Sequence, residues 1–310
     1  MGKDKVIFMF YQWNIIGHQL ELARLEEDLR SNSVHHAYLL VGPEMVGKFR
    51  VAKSMAQILQ CPNNFCHTCP DCTQIDKKIH PDTMQLDDDG ESIKISAVRE
   101  IIARLSMTGQ SRHKILLIDN IGRLTDEASN CLLKTLEEPS AKTIFIFTAS
   151  QLRDIMPTIA SRMRIMHFKK LHDDVLKMAL QKLYPDEESA TLDQAILLSL
   201  GRSGRAIKLI NDPEMFQELR DIYLQIQFLE EKASPAKRMM AMQDVSADPQ
   251  KIKVFLQLLA HYFRRNLLQT TSDKSRQRAI RIIEEIHRVT NLLSQNVNAR
   301  LLMENIMLAL

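Results

Sequence analysis

No apolar stretch among the 310 residues reaches the roughly 18–20 positions that a helix needs to cross a membrane, so no helical span is expected. A charge excess is also missing. The 41 Lys and Arg against 38 Asp and Glu leave +3, so any contact with nucleic acid must come from local placement of charge. Glycine (9), proline (10) and aromatics (5%) are scarce while methionine (16) is not, which leans towards helices and away from an all-β fold. A secretion signal is not expected either. Lys3 and Lys5 precede Val6-Ile7-Phe8-Met9-Phe10, but that run is short, Gln12 and Asn14 interrupt it, and no small-residue cleavage site follows. Gly2 has no Ser or Thr at position 6, so the myristoylation pattern fails. The expectation is a cytosolic protein of two or three domains. Five cysteines are present, and Cys61, Cys66, Cys69 and Cys72 fall close together; in a reducing cytosol that favours a metal over disulfides.

What is present is organised in two styles. From residue 15 to about 170, apolar runs alternate with helical periodicity. Candidate strands are Ala37–Val41, Thr83–Leu86, Ile115–Ile118, Thr143–Thr148 and Arg164–Phe168. The continuous apolar runs Ile115–Ile118 and Ile144–Phe147 suit strands covered on both faces of a parallel sheet. Between them, Val51, Met55, Ile58 and Leu59 form one helical stripe. Thr125 opens another helix, with Asp126 and Glu127 in its first turn, a stripe of Ala128, Cys131, Leu132, Thr135 and Leu136, and Pro139 at its end. The alternation predicts a doubly wound α/β domain. From Leu171 to about Asp212 short helices are expected, broken by Pro185, Gly201 and Gly204. Beyond Pro213 long helices dominate, with stripes at Phe255, Leu258, Leu259, Tyr262 and Phe263 and at Ile280, Ile283 and Ile286.

Four local patterns carry chemistry. Gly42-Pro43-Glu44-Met45-Val46-Gly47-Lys48-Phe49 nearly spells the phosphate-binding loop G-x-x-x-x-G-K-[ST], between a strand and a helix as that loop requires. Phe49 stands where a hydroxyl would hold Mg²⁺, leaving two readings: a weak nucleotide site, or a loop that only keeps the shape. Ile115–Ile118 ends in Asp119, either a potential neighbour of Mg²⁺ or a polar residue closing a strand; Asn120 follows, and an amide cannot serve as a base. Cys61-x4-Cys66-x2-Cys69-x2-Cys72 can close four thiolates around one tetrahedral Zn²⁺, a structural site. Free or core cysteines are the plain alternative, and His67 could replace one thiolate. The H-x-E element of zinc deaminases is missing, and Cys131 sits on a helix stripe as a core residue. Arg162, after Ser161, is either an idle surface residue or an arginine that a subunit edge presents to a neighbour's nucleotide.

Taken together these residues resemble the clamp-loader branch of AAA+ proteins. The stretches that carry the resemblance are Ile16-Gly17-His18-Gln19, Val34 to Pro43, His80-Pro81-Asp82, Leu132 to Pro139 and Thr158-Ile159-Ala160-Ser161-Arg162, in family order over about residues 15 to 165. The resemblance implies zinc on the cysteine quartet. It also implies that Arg162, in the family's Ser-Arg-Cys motif with Met163 replacing the cysteine, acts as an arginine finger towards an adjacent motor subunit. Within the family, motor subunits of gamma/tau type keep Ser or Thr after the lysine, Asp-Glu on the second motif and a lid arginine that senses ATP. This chain has Phe49, Asp119-Asn120 and Gly201-Arg202-Ser203-Gly204-Arg205-Ala206, where Arg205 lies one place beyond the aligned position. These departures favour the delta-prime, or stator, type; an active motor is the alternative.

The expected architecture is an AAA+ domain at residues 1–169 with the zinc module at 61–72, a helical lid at 170–212 and a helical collar at 213–310. The resemblance implies gamma/tau and delta subunits, a sliding clamp and primed DNA as partners, with no membrane. Gly42, Gly47, Lys48 and Asp119 would form a degenerate nucleotide site where ATP and Mg²⁺ are doubtful. Arg264, Arg265, Lys274, Arg276 and Arg278 are read as a solvated face, with DNA contact as the alternative.

Overall fold

The computed structural model describes residues 9–31, 33–140, 142–246, 248–293 and 297–310. Gly2, Lys3, Lys5, Val6, Ile7 and Phe8 lie outside them, and with them the first part of the N-terminal run. The chain divides into two compact units: residues up to Lys182 together with Gly201–Arg205, and Leu183–Leu200 together with Ala206–Leu310.

The first unit runs α1 (Gln19–Arg30), β1 (Ala37–Val41), α2 (Lys48–Gln60), α3 (Pro70–Asp76), β2 (Thr83–Leu86), α4 (Ile95–Ser106), β3 (Lys114–Ile118), α5 (Asp126–Glu137), β4 (Thr143–Ala149), α6 (Pro157–Ala160), β5 (Arg164–His167) and α7 (Asp173–Leu183). The five strands are all parallel, in the order β2-β3-β4-β1-β5. All five fall where the apolar runs place them, with ends shifted by one residue in β3, β4 and β5.

Side-chain alternation splits the strands between two cores. Tyr38, Leu40, Ile115, Leu117, Ile144 and Ile146 pack with Leu22 and Leu25 of α1 and Val51, Met55 and Leu59 of α2. Leu39, Val41, Leu116, Ile118, Phe145 and Phe147 pack on the opposite face with Val98, Ile101 and Leu105 of α4 and Ala128, Leu132 and Leu136 of α5. A strand covered on both faces has no polar side to display, which is why β3 and β4 read as continuous apolar runs. The Thr125 hydroxyl accepts from the Ala128 N–H at 3.3 Å, starting α5 as its sequence requires. Cys131 is half-buried against this core.

The chain before α1 is held by one buried carboxylate. Glu26 accepts from the N–H groups of Phe10 and Tyr11, both at 2.8 Å, and from the Trp13 indole at 2.9 Å.

The second unit contains α8 (Ser189–Ser199), most of α9 (Ser203–Asn211), α10 (Pro213–Glu231), α11 (Pro235–Ser246), α12 (Pro249–Gln269), α13 (Asp273–Leu293) and α14 (Ala299–Ala309). Proline opens α10 and α12, each behind an aspartate, Asp212 and Asp248, whose carboxylate caps a free N–H. The expected stripe Phe255, Leu258, Leu259, Tyr262 and Phe263 is buried in this unit's core. The second stripe needs correction. Ala279, Ile282, Ile286 and Val289 are buried, whereas Ile280 is 43% exposed. Isoleucines at 280, 282, 283 and 286 offer two overlapping helical faces, and only the one continued by Ala279 and Val289 is long enough to fill the core. Gly204 does not break a helix either; it lies inside α9. No described helix is long and apolar enough to cross a membrane.

Candidate functional site

The loop between β1 and α2 is built from the first unit's own backbone. Gly42 closes β1, its N–H donating to Ala149 O at 3.0 Å. Gly47 precedes α2 with φ 98, a left-handed conformation that suits glycine. Lys48 is 7% exposed, and its ammonium donates to the carbonyls of Gly42 and Pro43, both at 2.7 Å. Burial pushes the Lys48 ammonium down to about 8, against the opposing pull of Asp119 and Glu44. Phe49 is half-buried and packs against the core that α1 and α2 share.

Across the sheet, Asp119 ends β3 and accepts from the Thr148 hydroxyl at the end of β4. Burial raises its carboxyl, and the Thr148 bond and Lys48 oppose that rise. Asn120 has φ 59, a left-handed backbone that asparagine tolerates better than most residues. Its N–H also donates to Thr148 Oγ1 at 2.9 Å, and its amide reaches Asp88 at 2.8 Å. The structure thus brings together Lys48 and Asp119, as the two sequence patterns imply. It also adds Thr148, whose role depends on strand order and carries no local signal.

The start of α9 presses on the same loop. The Gly204 N–H donates to Met45 O at 2.7 Å, and the Ser203 hydroxyl to Val46 O at 3.3 Å. A Cβ at Gly204 would lie 2.8 Å from Met45 O, which is why glycine sits inside a helix here. This contact sets Arg202 and Arg205 in the electrostatic field of Glu44. Burial lowers both, Arg205 to about 10, and Arg202 lowers Arg205 further. Sequence reading considered Arg205 and overlooked Arg202; two arginines flanking a Ser-Gly pair were the available signal.

The four cysteines form a second centre between α2 and β2. Their sulfurs all lie within 4.8 Å of one another, with Cys61–Cys66 and Cys61–Cys69 at 3.7 Å. Four thiolates around one tetrahedral zinc at Zn–S of about 2.3 Å stand about 3.8 Å apart, so the donor set fits such an ion. Backbone N–H groups point at the sulfurs: Asn63 and Cys66 at Cys61, Cys69 at Cys66, and Cys72 at Cys69, between 3.3 and 3.5 Å. Hydrogen bonds to the backbone of Thr68 and Cys69 hold the Cys66 thiol down to about 6, while burial raises Cys72. His67 does not join the cluster; its ring lies 4.0 Å from that of Phe65.

Arg162 follows α6 on the surface, its side chain 35% exposed. It donates to Thr158 O at 2.7 Å and to Glu137 of α5 at 2.6 Å. Met163, where the resembling motif has cysteine, is buried in the core and turns Arg162 outward. Glu137 is a partner that periodicity could not supply, because 25 residues separate the two. The His80-Pro81-Asp82 stretch is tied by local hydrogen bonds. His80 Nδ1 accepts from the Asp82 N–H at 3.2 Å, and Asp82 accepts from Gln110 and Ser111 at 2.8 and 2.7 Å. In the second unit, Arg276 donates to Thr270 O at 3.2 Å and Arg278 to Glu230 at 2.8 Å.

The family described as DNA polymerase III, delta subunit, matches residues 17–172, which hold the loop, the cysteines, Asp119 and Arg162. The chain belongs to this family. The recognition drawn from the sequence, a delta-prime-type member of the clamp-loader proteins, agrees with it. The delta-prime subunit of Bacillus subtilis is 24% identical over 92% of this chain and 94% of its own. The tau subunit of Salmonella typhimurium is 29% identical over 62% of this chain, and a gamma subunit of Buchnera aphidicola 34% identical over 50%. This chain spans only 30% of that tau subunit and 43% of that gamma subunit.

Proposed function

We propose that this chain is a non-hydrolysing stator of a DNA polymerase III clamp loader in the cytoplasm. It would help gamma/tau and delta subunits place a sliding clamp on primed DNA. Phe49 carries this reading. The side chain that should hold Mg²⁺ is a partly buried apolar ring packed against the core, so that position offers no hydroxyl for the metal. Asn120 deprives it of a base as well, its amide engaged with Asp88. The motor alternative would need both functions from residues that lack them.

Arg162 would act in trans, leaving Glu137 to stabilise charge on a phosphoryl group transferring in a neighbouring subunit. Cys61, Cys66, Cys69 and Cys72 would hold a structural Zn²⁺, a closed site that ties the loop after α2 without taking part in turnover. The three-part division at residues 169 and 212, with a helical lid and a collar, belongs to the same proposal. The engagement of Arg276 and Arg278 within their own unit supports a solvated or structural role for that basic face.

The test is steady-state ATP turnover by loader rebuilt from this chain with gamma/tau, delta, clamp and primed DNA. The isolated chain should show no turnover. Arg162→Ala should leave assembly intact while slowing the adjoining site by about 10³-fold or more. Appreciable hydrolysis by the isolated chain would restore the motor reading, and unchanged turnover with Arg162→Ala would remove the finger.

A further inference from the structure

Three residues in the loop between Cys61 and Cys69 hold a left-handed backbone: Asn64 (φ 52), Phe65 (φ 66) and His67 (φ 61). Asparagine and histidine tolerate that region, whereas a bulky aromatic rarely enters it. Phe65 is held there all the same, so its surroundings must offset the cost. Two constraints act on it. The N–H groups of Asn63 and Cys66, on either side, both donate to Cys61 Sγ at 3.4 Å. A thiolate, the form in which cysteine binds a metal, accepts such bonds better than a neutral thiol does. The ring itself supplies the second constraint. It is 5% exposed and packs in the core that α1 and α2 share, away from the sulfurs.

There Phe65 meets the segment that precedes α1. Its ring centroid lies 6.4 Å from that of Tyr11, edge to face, and Tyr11 in turn lies 6.5 Å from Trp13 in the same arrangement. Rings in this geometry attract beyond the area that they bury. Trp13, 3% exposed, belongs to the same core as Phe65. The segment is also held by Glu26, through the Phe10 and Tyr11 N–H groups and the Trp13 indole. Glu26 and Phe65 thus fasten one segment, the first from α1 and the second from the cysteine loop. Of these two fastenings, the second is tied to the state of the sulfurs.

We propose that Phe65 is a clasp governed by metal on the cysteine quartet. With the quartet loaded, the ring pins residues 10–13 onto the core; with the metal lost, the loop relaxes, the ring withdraws and Trp13 is bared. The inference rests on the zinc reading of the quartet and adds to it a conformational effect on a segment that contributes no ligand.

The test loads the full chain with zinc chloride and then withdraws the metal with excess EDTA under reducing conditions. Bound zinc is counted by elemental analysis. Trp13, the sole tryptophan, is followed by its emission and by acrylamide quenching while the helical circular dichroism is recorded. Withdrawal should move the emission to the red and raise the quenching constant about threefold or more, with the helical signal retained, as for a local opening. Fresh zinc should reverse both changes. Phe65→Ala, which removes no ligand, should bind zinc at native stoichiometry yet show the bared signal with metal bound and no further change on withdrawal. Tyr11→Leu, on the segment itself, should behave alike, so the outcome does not depend on one variant folding. Zinc bound and released with Trp13 unmoved would overturn the clasp while leaving the zinc site standing, as would a full Trp13 response in both variants. Loss of the helical signal together with the Trp13 change would also overturn it, as unfolding of the whole chain. No zinc binding would overturn the clasp and the zinc site together.

Discussion

A lysine that is 7% exposed and, among the described residues, bonded only to two carbonyls makes its protonation a term in folding. Lys48 is pushed down to about 8 in the folded chain, from an ordinary value of 10.5. Between those values the unfolded chain keeps the proton that the folded chain has released, so stability rises with pH across that window. Relative to Lys48→Met, the native chain should gain about 2 kcal/mol between pH 8 and 10, read from urea unfolding at each pH. An unchanged difference would mean that the ammonium is better solvated than its burial implies. At this scale the sequence was informative where a motif assigns a position its duty. Phe49 and Asn120 were visible as losses because the residues around them kept the pattern. Thr148 and Glu137 were not visible, because each acts through a partner that only the folded sheet brings near.

At the scale of elements, burial on both faces is a strong signal, and the five strands were legible for that reason. Helix faces were less so. Four isoleucines within seven residues of α13 allow two stripes, and packing alone selects the one containing Ile282 and Ile286. Gly204 read as a break because a helix interior normally excludes glycine, while here the close carbonyl of Met45 requires it. The cysteine loop was legible as a donor set from spacing alone, but the N–H groups that point at its sulfurs were not. If zinc is the ion it holds, purified protein should carry the metal stoichiometrically by elemental analysis. Cys69→Ser should deplete it and lower Tm by about 5–10 °C, since binding free energy at such a site is also folding free energy. Full Tm in a metal-free preparation would reduce the cluster to four core thiols.

For the whole molecule, the two units have separate cores, one around α12 and the other on the two faces of the sheet. Phe255, 1% exposed, sits in the helical core alone. Phe255→Ala should cost that unit about 3–5 kcal/mol. Unfolding followed by helical signal and by Trp13 fluorescence should then separate into two transitions, only the first of them moved by the substitution. Coincident transitions would show one cooperative system. The path of the chain through these units carries a practical consequence. It leaves the first unit at Lys182 and returns as Gly201–Arg205, where Gly201 O accepts from the Leu171 N–H at 2.8 Å, before leaving again. No single cut therefore separates the two. A fragment ended at Lys182 would forfeit the returning segment and both of its arginines. One ended at Arg205 would carry residues 183–200 as a loop stripped of their own core. Dissection of this protein into independent pieces calls for rejoining the chain across that excursion, not merely shortening it.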